Sequence, residues 1–362
     1  MKVLGIETSC DETGVALVID GAVVEQRVAT QVEHAEWGGV VPEIASRLHQ
    51  RALAKMTQDV MQAAGLGHSD LDGIAATHGP GLIGALLVGV SFAKGLAVAH
   101  RIPFIGVNHL EAHIFSPHAA GEVLPMPALA LLVSGGHTEL FRVNGFGRYQ
   151  LLGATLDDAV GEAFDKVGGL LEIEYPAGAA LSRLAASGDP QRFTLPVPRT
   201  EQPFQFSFSG LKTAALRLVQ SLEGKPPQTW RADLAASFQE AAVTQLIVRL
   251  DRALENEWYR SVVLAGGVAA NQLLRKRAEQ IAARHDIPLF RPPLQLCTDN
   301  AEMIAWVGWK RLTDGCTDPL DLEADPNLSL AWDDLSGTDH SRGGIEIDIH
   351  SRAVKKKRGA TS

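Results

Sequence analysis

Apolar and polar positions alternate near the N-terminus in a pattern that predicts three β-strands. A polar loop follows the first strand and an Asp20-Gly21 hairpin follows the second, which gives strands at 3–7, 15–19 and 22–28. The same order returns in the middle of the chain, with an Asn144-Gly145 hairpin and strands at 128–133, 139–143 and 149–152. Two copies of one arrangement indicate an internal duplication.

Between and after these strands, apolar residues recur three and four positions apart, as they do on one face of a helix. The pattern predicts helices at 43–64, 82–99, 232–257, 272–284 and 301–312, and further buried strands at 74–77, 102–107 and 261–265. Residues 79–93 are almost free of charge, but Pro80 and several glycines favour a buried loop and helix over a membrane span. This alternation, in a chain of 362 residues, predicts an α/β protein of two domains.

Glycines cluster between the apolar runs, notably at 134–136 after a buried strand and at 266–267 before a helix. Backbone N–H groups in such loops can approach a phosphate or carbonyl oxygen, although a tight turn explains the glycines as well. The net charge of −9 argues against a free-standing nucleic-acid binder. Three cysteines without metal-type spacing favour a reducing cytoplasm.

The segment His109-Leu-Glu-Ala-His113 carries the clearest chemical signal in the chain. Residues four apart lie on the same face of a helix, so both imidazoles can bind one metal ion. Glu111 falls roughly 200° around the helix from His109 and points away from such an ion. A zinc peptidase has its glutamate directly after the first histidine, where this chain has Leu110. The alternative is a pair of ordinary polar residues on a half-buried helix.

A third ligand must come from elsewhere, and the candidate is Asp299 at the head of the predicted 301–312 helix. Two imidazoles and one carboxylate leave coordination positions open, which suits Fe(II) or Zn(II) acting on a substrate. An N-cap is the alternative role for Asp299. Asp11 and Glu12, in the first polar loop, are candidates for positioning or proton transfer, or else a solvent-facing acidic pair.

Nine segments, in one order, resemble the bacterial type of the tRNA adenosine threonylcarbamoyltransferase family across about residues 1–335. They are 6–13, 38–46, 79–82, 109–113, 132–138, 161–166, 206–212, 265–268 and 297–300. The resemblance implies a duplicated two-lobe α/β fold of the actin/hexokinase/Hsp70-like class. It also implies transfer of a threonylcarbamoyl group from threonylcarbamoyl-AMP to the N6 amine of the adenosine 3′ of the anticodon, in tRNAs that read ANN codons.

The resemblance also assigns roles to individual residues. His109, His113 and Asp299 match the metal ligands, with Fe(II) favoured over Zn(II), and Asp11 and Glu12 match acids of the first active-site loop. The positions that match substrate-binding residues are Leu132, Val133, Ser134, Gly135, Gly136, Asp165, Gly178 and Asn271. The chain departs from the family at 176–179, where Pro-Ala-Gly-Ala replaces the usual Pro-Gly-Gly-Pro.

The expected organisation is a first lobe at 1–126, a second lobe at 127–335 whose final helices return to the first, and a disordered tail at 336–362. The family implies tRNA as a substrate, and an inactive paralogue and a small P-loop ATPase as partner subunits, in the cytoplasm and without a membrane. An ATPase or small-molecule kinase of the same fold is the main alternative activity. A metallopeptidase and a non-catalytic scaffold are further alternatives.

Overall fold

A computed structural model describes residues 1–330 of the chain. Its first sheet has the strand order β3-β2-β1-β4-β5, in which β1, β2 and β3 are antiparallel neighbours and β4 and β5 run parallel to β1. The strands are β1 Lys2–Glu7, β2 Glu12–Ile19, β3 Ala22–Thr30, β4 Gly73–Gly79 and β5 Phe104–Asn108. The helices of this region are α1 Pro42–Ala63, α2 Ile83–His100 and α3 His109–Ala119.

The second sheet repeats the first, which confirms the predicted internal duplication. Its strand order is β10-β9-β6-β7-β8, in which β6, β7 and β8 are antiparallel neighbours and β9 and β10 run parallel to β6. The strands are β6 Ala128–Val133, β7 Thr138–Gly145, β8 Arg148–Ala154, β9 Ser261–Ala265 and β10 Leu289–Phe290. In each sheet, the first strand and its parallel neighbour end at the same edge. The loops that follow these two strands therefore lie side by side.

One predicted hairpin is displaced in this sheet. Gly145 pairs with Arg148, so the turn lies at Phe146-Gly147 and not at Asn144-Gly145. The ladder shifts register between Val143 and Gly145, and Gly147 has a φ of 74°. A bulge thus moves the turn two residues beyond the Asn-Gly signal, and a second glycine supplies the left-handed backbone.

Six further helices complete the described chain, and three of them, α4 to α6, were not predicted from periodicity. Two of those three are only eight and eleven residues long, too short for a strong periodic signal. The helices are α4 Val160–Leu170, α5 Gly178–Ala185, α6 Ser209–Ser221, α7 Arg231–Asn256, α8 Gln272–Arg284 and α9 Ala301–Thr313.

Helices α3 and α9 lie in an apolar core to which both sheets contribute. Val107 of β5, Leu132 of β6, Phe115 of α3 and Ile304 of α9 are buried in this core. Although α9 follows the second sheet in sequence, it packs on the first, because Gly5 of β1 leaves room for it. A Cβ at that glycine would lie 2.4 Å from a backbone nitrogen of α9. The N-terminus of α9 is thereby fixed near the start of α3.

The division into lobes at 1–126 and 127–335 stays a prediction, and the predicted tail at 336–362 lies outside the described residues. Within residues 1–330, α2 is the one helix long and apolar enough to span a membrane, with a mean hydropathy of 1.6. It packs against α1 and β4 but is only 33% buried. Its uncovered side carries the exposed apolar side chains Ile83, Leu87 and Val98.

Candidate metal centre and active site

The histidine pair lies at the first turn of α3, directly where β5 ends. Asn108 closes the strand and caps the helix, since its side-chain oxygen accepts hydrogen bonds from the backbone N–H groups of Leu110 (2.9 Å) and Glu111 (3.3 Å). The cap fixes where the helix begins and hence the direction of His109 and His113. Both imidazoles are buried, with ring centroids 4.6 Å apart.

Asp299, which precedes α9, contacts both imidazoles. Its Oδ1 lies 3.3 Å from Nε2 of His109 and 3.0 Å from Nε2 of His113. The cap of α9 is the next residue, Asn300, whose side chain accepts a hydrogen bond from the N–H of Met303 at 3.2 Å. The alternative role of Asp299 as the helix cap is therefore filled by its neighbour, and its carboxylate is directed to the imidazoles.

These three side chains fit a divalent metal ion. Their possible ligand atoms all lie within 4.8 Å of one another. Ligands held about 2.1 Å from one ion at angles between 90° and the tetrahedral value are separated by roughly 3.0–3.4 Å, which matches the two contacts of Asp299. Two nitrogens and one oxygen are a donor set suited to Fe(II) or Zn(II), and three protein ligands leave positions for a substrate.

The electrostatics of the cluster also favour a positive charge. Burial alone would lower the pKa of His109, but the carboxylates of Asp299 and Glu7 raise it well above its ordinary value. Burial likewise opposes ionisation of Asp299, yet His109 and His113 hold its pKa well below the usual range. Burial and the charge of His109 lower the pKa of His113, which keeps it neutral and able to donate a lone pair. The buried carboxylate of Glu7 and the partly buried carboxylate of Asp299 thus stabilise a cation at this position.

Glu7, at the end of β1, contacts the ring nitrogen of His109 that faces away from Asp299. This residue was not predicted from the sequence as part of the site. The carboxylate is fully buried, and its Oε2 lies 3.0 Å from Nδ1 of His109. It accepts further hydrogen bonds from the Thr77 hydroxyl (2.7 Å) and the Ser9 backbone N–H (2.5 Å). A carboxylate that accepts from the second nitrogen of a ligating histidine fixes its tautomer and orientation. The available signal was an acid that ends an otherwise apolar strand.

We expect Glu7→Gln to weaken metal binding by about 10–100-fold, because an amide oxygen accepts a hydrogen bond from Nδ1–H of His109 less strongly than a carboxylate does. Equilibrium metal titration of the purified variant against the wild type measures this effect. Glu36→Gln, an exposed acid outside the cluster, is the control and should bind metal normally. Unchanged affinity in Glu7→Gln would mean that His109 is oriented without this carboxylate.

Glu111 lies on the side of α3 that its helical angle predicted, away from the ligand cluster. It is fully buried, and its carboxylate accepts hydrogen bonds from the Tyr149 hydroxyl (2.5 Å) and from Arg311 (2.7 Å). Arg311 belongs to α9, the helix that follows Asp299, and Tyr149 belongs to β8. The contact therefore joins α3, which carries both histidines, to α9, which begins two residues after Asp299, and connects them to the second sheet.

Asp11 lies in the loop after β1, whereas Glu12 begins β2 and is within electrostatic reach of Asp299. Burial, with the charges of Asp299 and Asp11, raises the pKa of Glu12 to about 10, so this carboxyl holds a proton at neutral pH. The backbone carbonyl of Asp11 accepts a hydrogen bond from the Gln31 N–H at 3.0 Å, which secures the loop to the end of β3. Their roles in chemistry stay a prediction.

The predicted substrate loop at 132–136 divides into two parts. Leu132 and Val133 are fully buried in β6 and supply only backbone and support. Gly135 and Gly136 are exposed, and a Cβ at either would meet nothing within 4 Å, so a ligand can approach their backbone closely. Ser134 closes the loop, since its hydroxyl accepts from the His137 N–H at 3.0 Å.

Asp165 and Gly178 meet at the start of α5. The Asp165 carboxylate accepts a hydrogen bond from the Ala177 N–H at 2.8 Å, and burial raises its pKa even though the backbone donors of Ala177 and Gly178 lower it. Ala177, part of the unusual 176–179 turn, is buried against α4, where Gly168 has no side chain to collide with it. The altered turn is thus accommodated, and the backbone at Gly178 stays open, with nothing near its Cβ position.

Asn271, the remaining predicted substrate position, caps α8. Its side-chain oxygen accepts from the Leu274 N–H at 3.0 Å, and its amide donates to Ser182 (2.9 Å) and Gln239 (2.8 Å). This residue therefore joins α5, α7 and the loop after β9. Its binding role stays a prediction, as do those of the 132–136 loop, Asp165 and Gly178.

Two sheets of the same topology, with a His/Asp cluster contributed by α3 and by the residues before α9, define a two-lobe α/β protein of the actin/hexokinase/Hsp70-like class. The fold is similar to that of T.kodakarensis HypF, with a TM-score of 0.59, 14% identity, and coverage of 86% of this chain and 48% of that one. Full-length HypF in a phosphate- and nucleotide-bound form gives a TM-score of 0.55 at 13% identity, covering 86% of this chain and 46% of that one. The predicted fold class is confirmed.

Sequence comparison places the chain within one family. The TsaD model, tRNA N6-adenosine threonylcarbamoyltransferase, matches residues 22–306. A protein of that name from Syntrophotalea carbinolica is 48% identical over 333 residues, which is 91% of this chain and 97% of that protein. The chain belongs to the tRNA N6-adenosine threonylcarbamoyltransferase family, a family of transferases.

Proposed function

We propose that this protein transfers the threonylcarbamoyl group of threonylcarbamoyl-AMP to the N6 amine of the adenosine 3′ of the anticodon, in tRNAs that read ANN codons. AMP is released. The observation that carries this proposal is the His109–His113–Asp299 cluster in a chain 48% identical to a named threonylcarbamoyltransferase. The cluster is within electrostatic reach of His137, the residue that follows the 132–136 loop.

The reaction needs orientation more than covalent catalysis. The donor is a mixed anhydride and therefore an activated acyl group, whereas an adenine amine is a weak nucleophile. N6 attacks the carbamoyl carbon, the bond from that carbon to the phosphate oxygen breaks, and AMP leaves with the electron pair. Holding both reactants in place supplies about 7–11 kcal/mol in favourable intramolecular cases. The chain's task is thus to fix two substrates against each other.

We assign threonylcarbamoyl-AMP to the loops of the second sheet, and the metal ion to α3 and the residues just before α9. Backbone N–H groups of Gly135 and Gly136, with Asp165, Gly178 and Asn271 nearby in the family pattern, would hold the adenylate. His109, His113 and Asp299 would hold one divalent ion, Fe(II) or alternatively Zn(II). When bound, such an ion supplies a Lewis acid and a template for substrate oxygens.

Asp11 and Glu12 are proposed to handle the proton that N6 loses. They are adjacent in sequence, Asp11 in the loop after β1 and Glu12 at the start of β2, and burial with the charges of Asp299 and Asp11 raises the pKa of Glu12 to about 10, which favours its protonated form. Two neighbouring carboxyls, of which one is protonated, can accept one proton and pass on another. The proton thus stays within the site while AMP departs.

An acidic chain needs local basic surface and partners to hold tRNA. Arg47, Arg51 and Lys55 are exposed along one side of α1, where phosphates can reach them, although Lys55 already pairs with Asp59 on the same helix. Arg275 and Arg277 are less available, because the first contacts the Ala269 carbonyl and the second pairs with Glu240. The stripe on α1 is therefore our choice for the tRNA contact.

We further propose an inactive paralogue and a small P-loop ATPase as partner subunits, in the cytoplasm and without a membrane. The uncovered apolar side of α2 supports this part of the proposal, since exposed Ile83, Leu87 and Val98 are unusual on an unpartnered surface. A partner helix packed there would bury them. The sparse, unpaired cysteines suit a reducing compartment.

A transfer assay tests the proposal directly. Purified metal-loaded protein, with its partner subunits, is mixed with synthetic threonylcarbamoyl-AMP and tRNA that lacks the modification. We expect AMP release and modified tRNA in equal amounts, and no modification of tRNAs in which another base replaces the target adenosine. Repeated hydrolysis of ATP without tRNA, and no transfer from the adenylate, would instead indicate an ATPase or kinase.

A further inference from the structure

A cavity of about 260 Å³ lies beside the His109–His113–Asp299 cluster, and none of its lining residues is assigned to the metal or to the donor. Apolar side chains of Pro80, Leu110, Phe141, Leu151, Leu328 and Leu330 form part of its walls, and the polar residues Asn327 and Ser329 also line it. Leu110 follows the ligand His109 on α3. His137 also lines the cavity, and burial, with the charges of His109 and His113, lowers its pKa to about 4. The cavity thus adjoins the centre without including its ligands.

Glu139 is the acidic residue in this lining, and its carboxyl group lacks a donor. It lies on β7 directly opposite Leu132 of β6, at the base of the proposed donor loop. Its Oε2 is buried, and no residue of the described chain donates a hydrogen bond to it. Burial raises the pKa of Glu139 to about 7. A buried carboxyl oxygen without a donor is costly in an isolated protein, and a ligand that donates a hydrogen bond to it would remove that cost.

The lining selects the chemistry of that ligand. Leucine, proline and phenylalanine side chains suit a flat apolar body, and a carboxylate at one wall suits an N–H donor. The same carboxylate repels the phosphate and the threonyl carboxylate of the donor. The volume falls just below the ~300–1,000 Å³ of sites for drug-sized ligands, so it suits a single base. Enzymes that act on a nucleobase take it out of its stack into such a pocket.

We propose that this cavity receives the adenine ring of the acceptor tRNA, and that Glu139 accepts a hydrogen bond from its N6 amine. The assignment rests on the proposed transfer reaction but concerns the acceptor side of the site. It places the amine between β7 and the metal cluster, next to the loop that would hold the donor. The apolar walls recognise a base, and the acid recognises a base that carries an amine.

Binding of two anticodon stem-loops tests the assignment without requiring transfer. One carries adenosine at the acceptor position and the other carries purine riboside, which lacks the N6 amine. We expect the metal-loaded wild type to bind the adenosine form at least tenfold more tightly, as for a hydrogen bond to a charged or partly charged group. Glu139→Leu should lose this discrimination, and Glu139→Gln, which keeps an acceptor oxygen, should retain most of it.

Controls separate the acceptor role from general damage. Glu279→Leu, at an exposed acid of α8, should discriminate like the wild type, and all variants should keep their metal content and affinity for an AMP-containing donor analogue. Equal binding of the two stem-loops by the wild type would overturn the proposal, as would unchanged discrimination in Glu139→Leu. If the wild type binds the adenosine stem-loop more tightly but transfers no threonylcarbamoyl group, the assignment of the cavity to the base is supported and the proposed reaction is contradicted.

Discussion

Replacing His109 and His113 together with alanine should abolish metal binding and lower transfer by roughly 10³-fold or more. Lewis-acid assistance is worth several kcal/mol, and each 1.36 kcal/mol is about tenfold in rate. Both imidazoles face one oxygen of Asp299, at 3.3 and 3.0 Å, so their removal leaves a single protein ligand. Metal analysis of the purified variant and a single-turnover transfer assay measure the two effects.

The matched control is His100→Ala, a histidine at the end of α2 and outside the cluster. It should keep full metal content and rate. Circular dichroism and the thermal transition should show that the double variant still folds, because α3 retains its Asn108 cap and its apolar contacts. Full transfer by a folded, metal-free double variant would refute the catalytic role of the ion.

The second large effect concerns stability: Arg311→Met should destabilise the fold by about 3–5 kcal/mol. Glu111 is fully buried, and Arg311 is the cation that contacts it, at 2.7 Å. Removal of that cation leaves an uncompensated carboxylate in the core between α3 and α9. Because α3 carries both histidines of the predicted metal site and α9 begins two residues after Asp299, metal affinity should fall as well. Denaturant unfolding of the metal-free proteins measures the change in the free energy of unfolding separately from the change in metal affinity.

A second substitution distinguishes loss of charge balance from loss of packing. Arg311→Met combined with Glu111→Gln removes both charges while it keeps an oxygen for the Tyr149 hydroxyl, and should recover much of the stability. Arg291→Met breaks an exposed pair with Glu279 and should cost about 0–1 kcal/mol. If Arg311→Met costs no more than this surface control, Glu111 does not depend on its arginine.

Local patterns predicted most of the regular structure. The strand at 261–265 and the helix at 272–284 begin and end at the predicted residues, because a β-branched apolar run and an asparagine cap mark them clearly. The duplication could be predicted for the same reason, since each copy carries its own strands and turns. The exception at 144–147 arose where a bulge, which depends on the partner strand, moved the turn.

The ligand cluster was predicted less completely. His109 and His113 share one helix, so their spacing carried the information, whereas Asp299 was a candidate with a helix cap as its alternative role, and the family resemblance then matched it to the pair. Glu7, Arg311 and Glu139 were missed because their meaning comes from contacts between residues 100 or more positions apart, or from a cavity between distant segments. Burial and partners of this kind are properties of the folded chain alone.

Anomalous diffraction from crystals of the metal-loaded protein is the most direct test of the claim that three distant side chains bind one ion. We expect a single peak per chain, about 2.0–2.3 Å from Nε2 of His109, Nε2 of His113 and a carboxylate oxygen of Asp299. The absorption edge would identify the element. A peak bound by other residues, or an Asp299 carboxylate turned away from both imidazoles, would contradict the account.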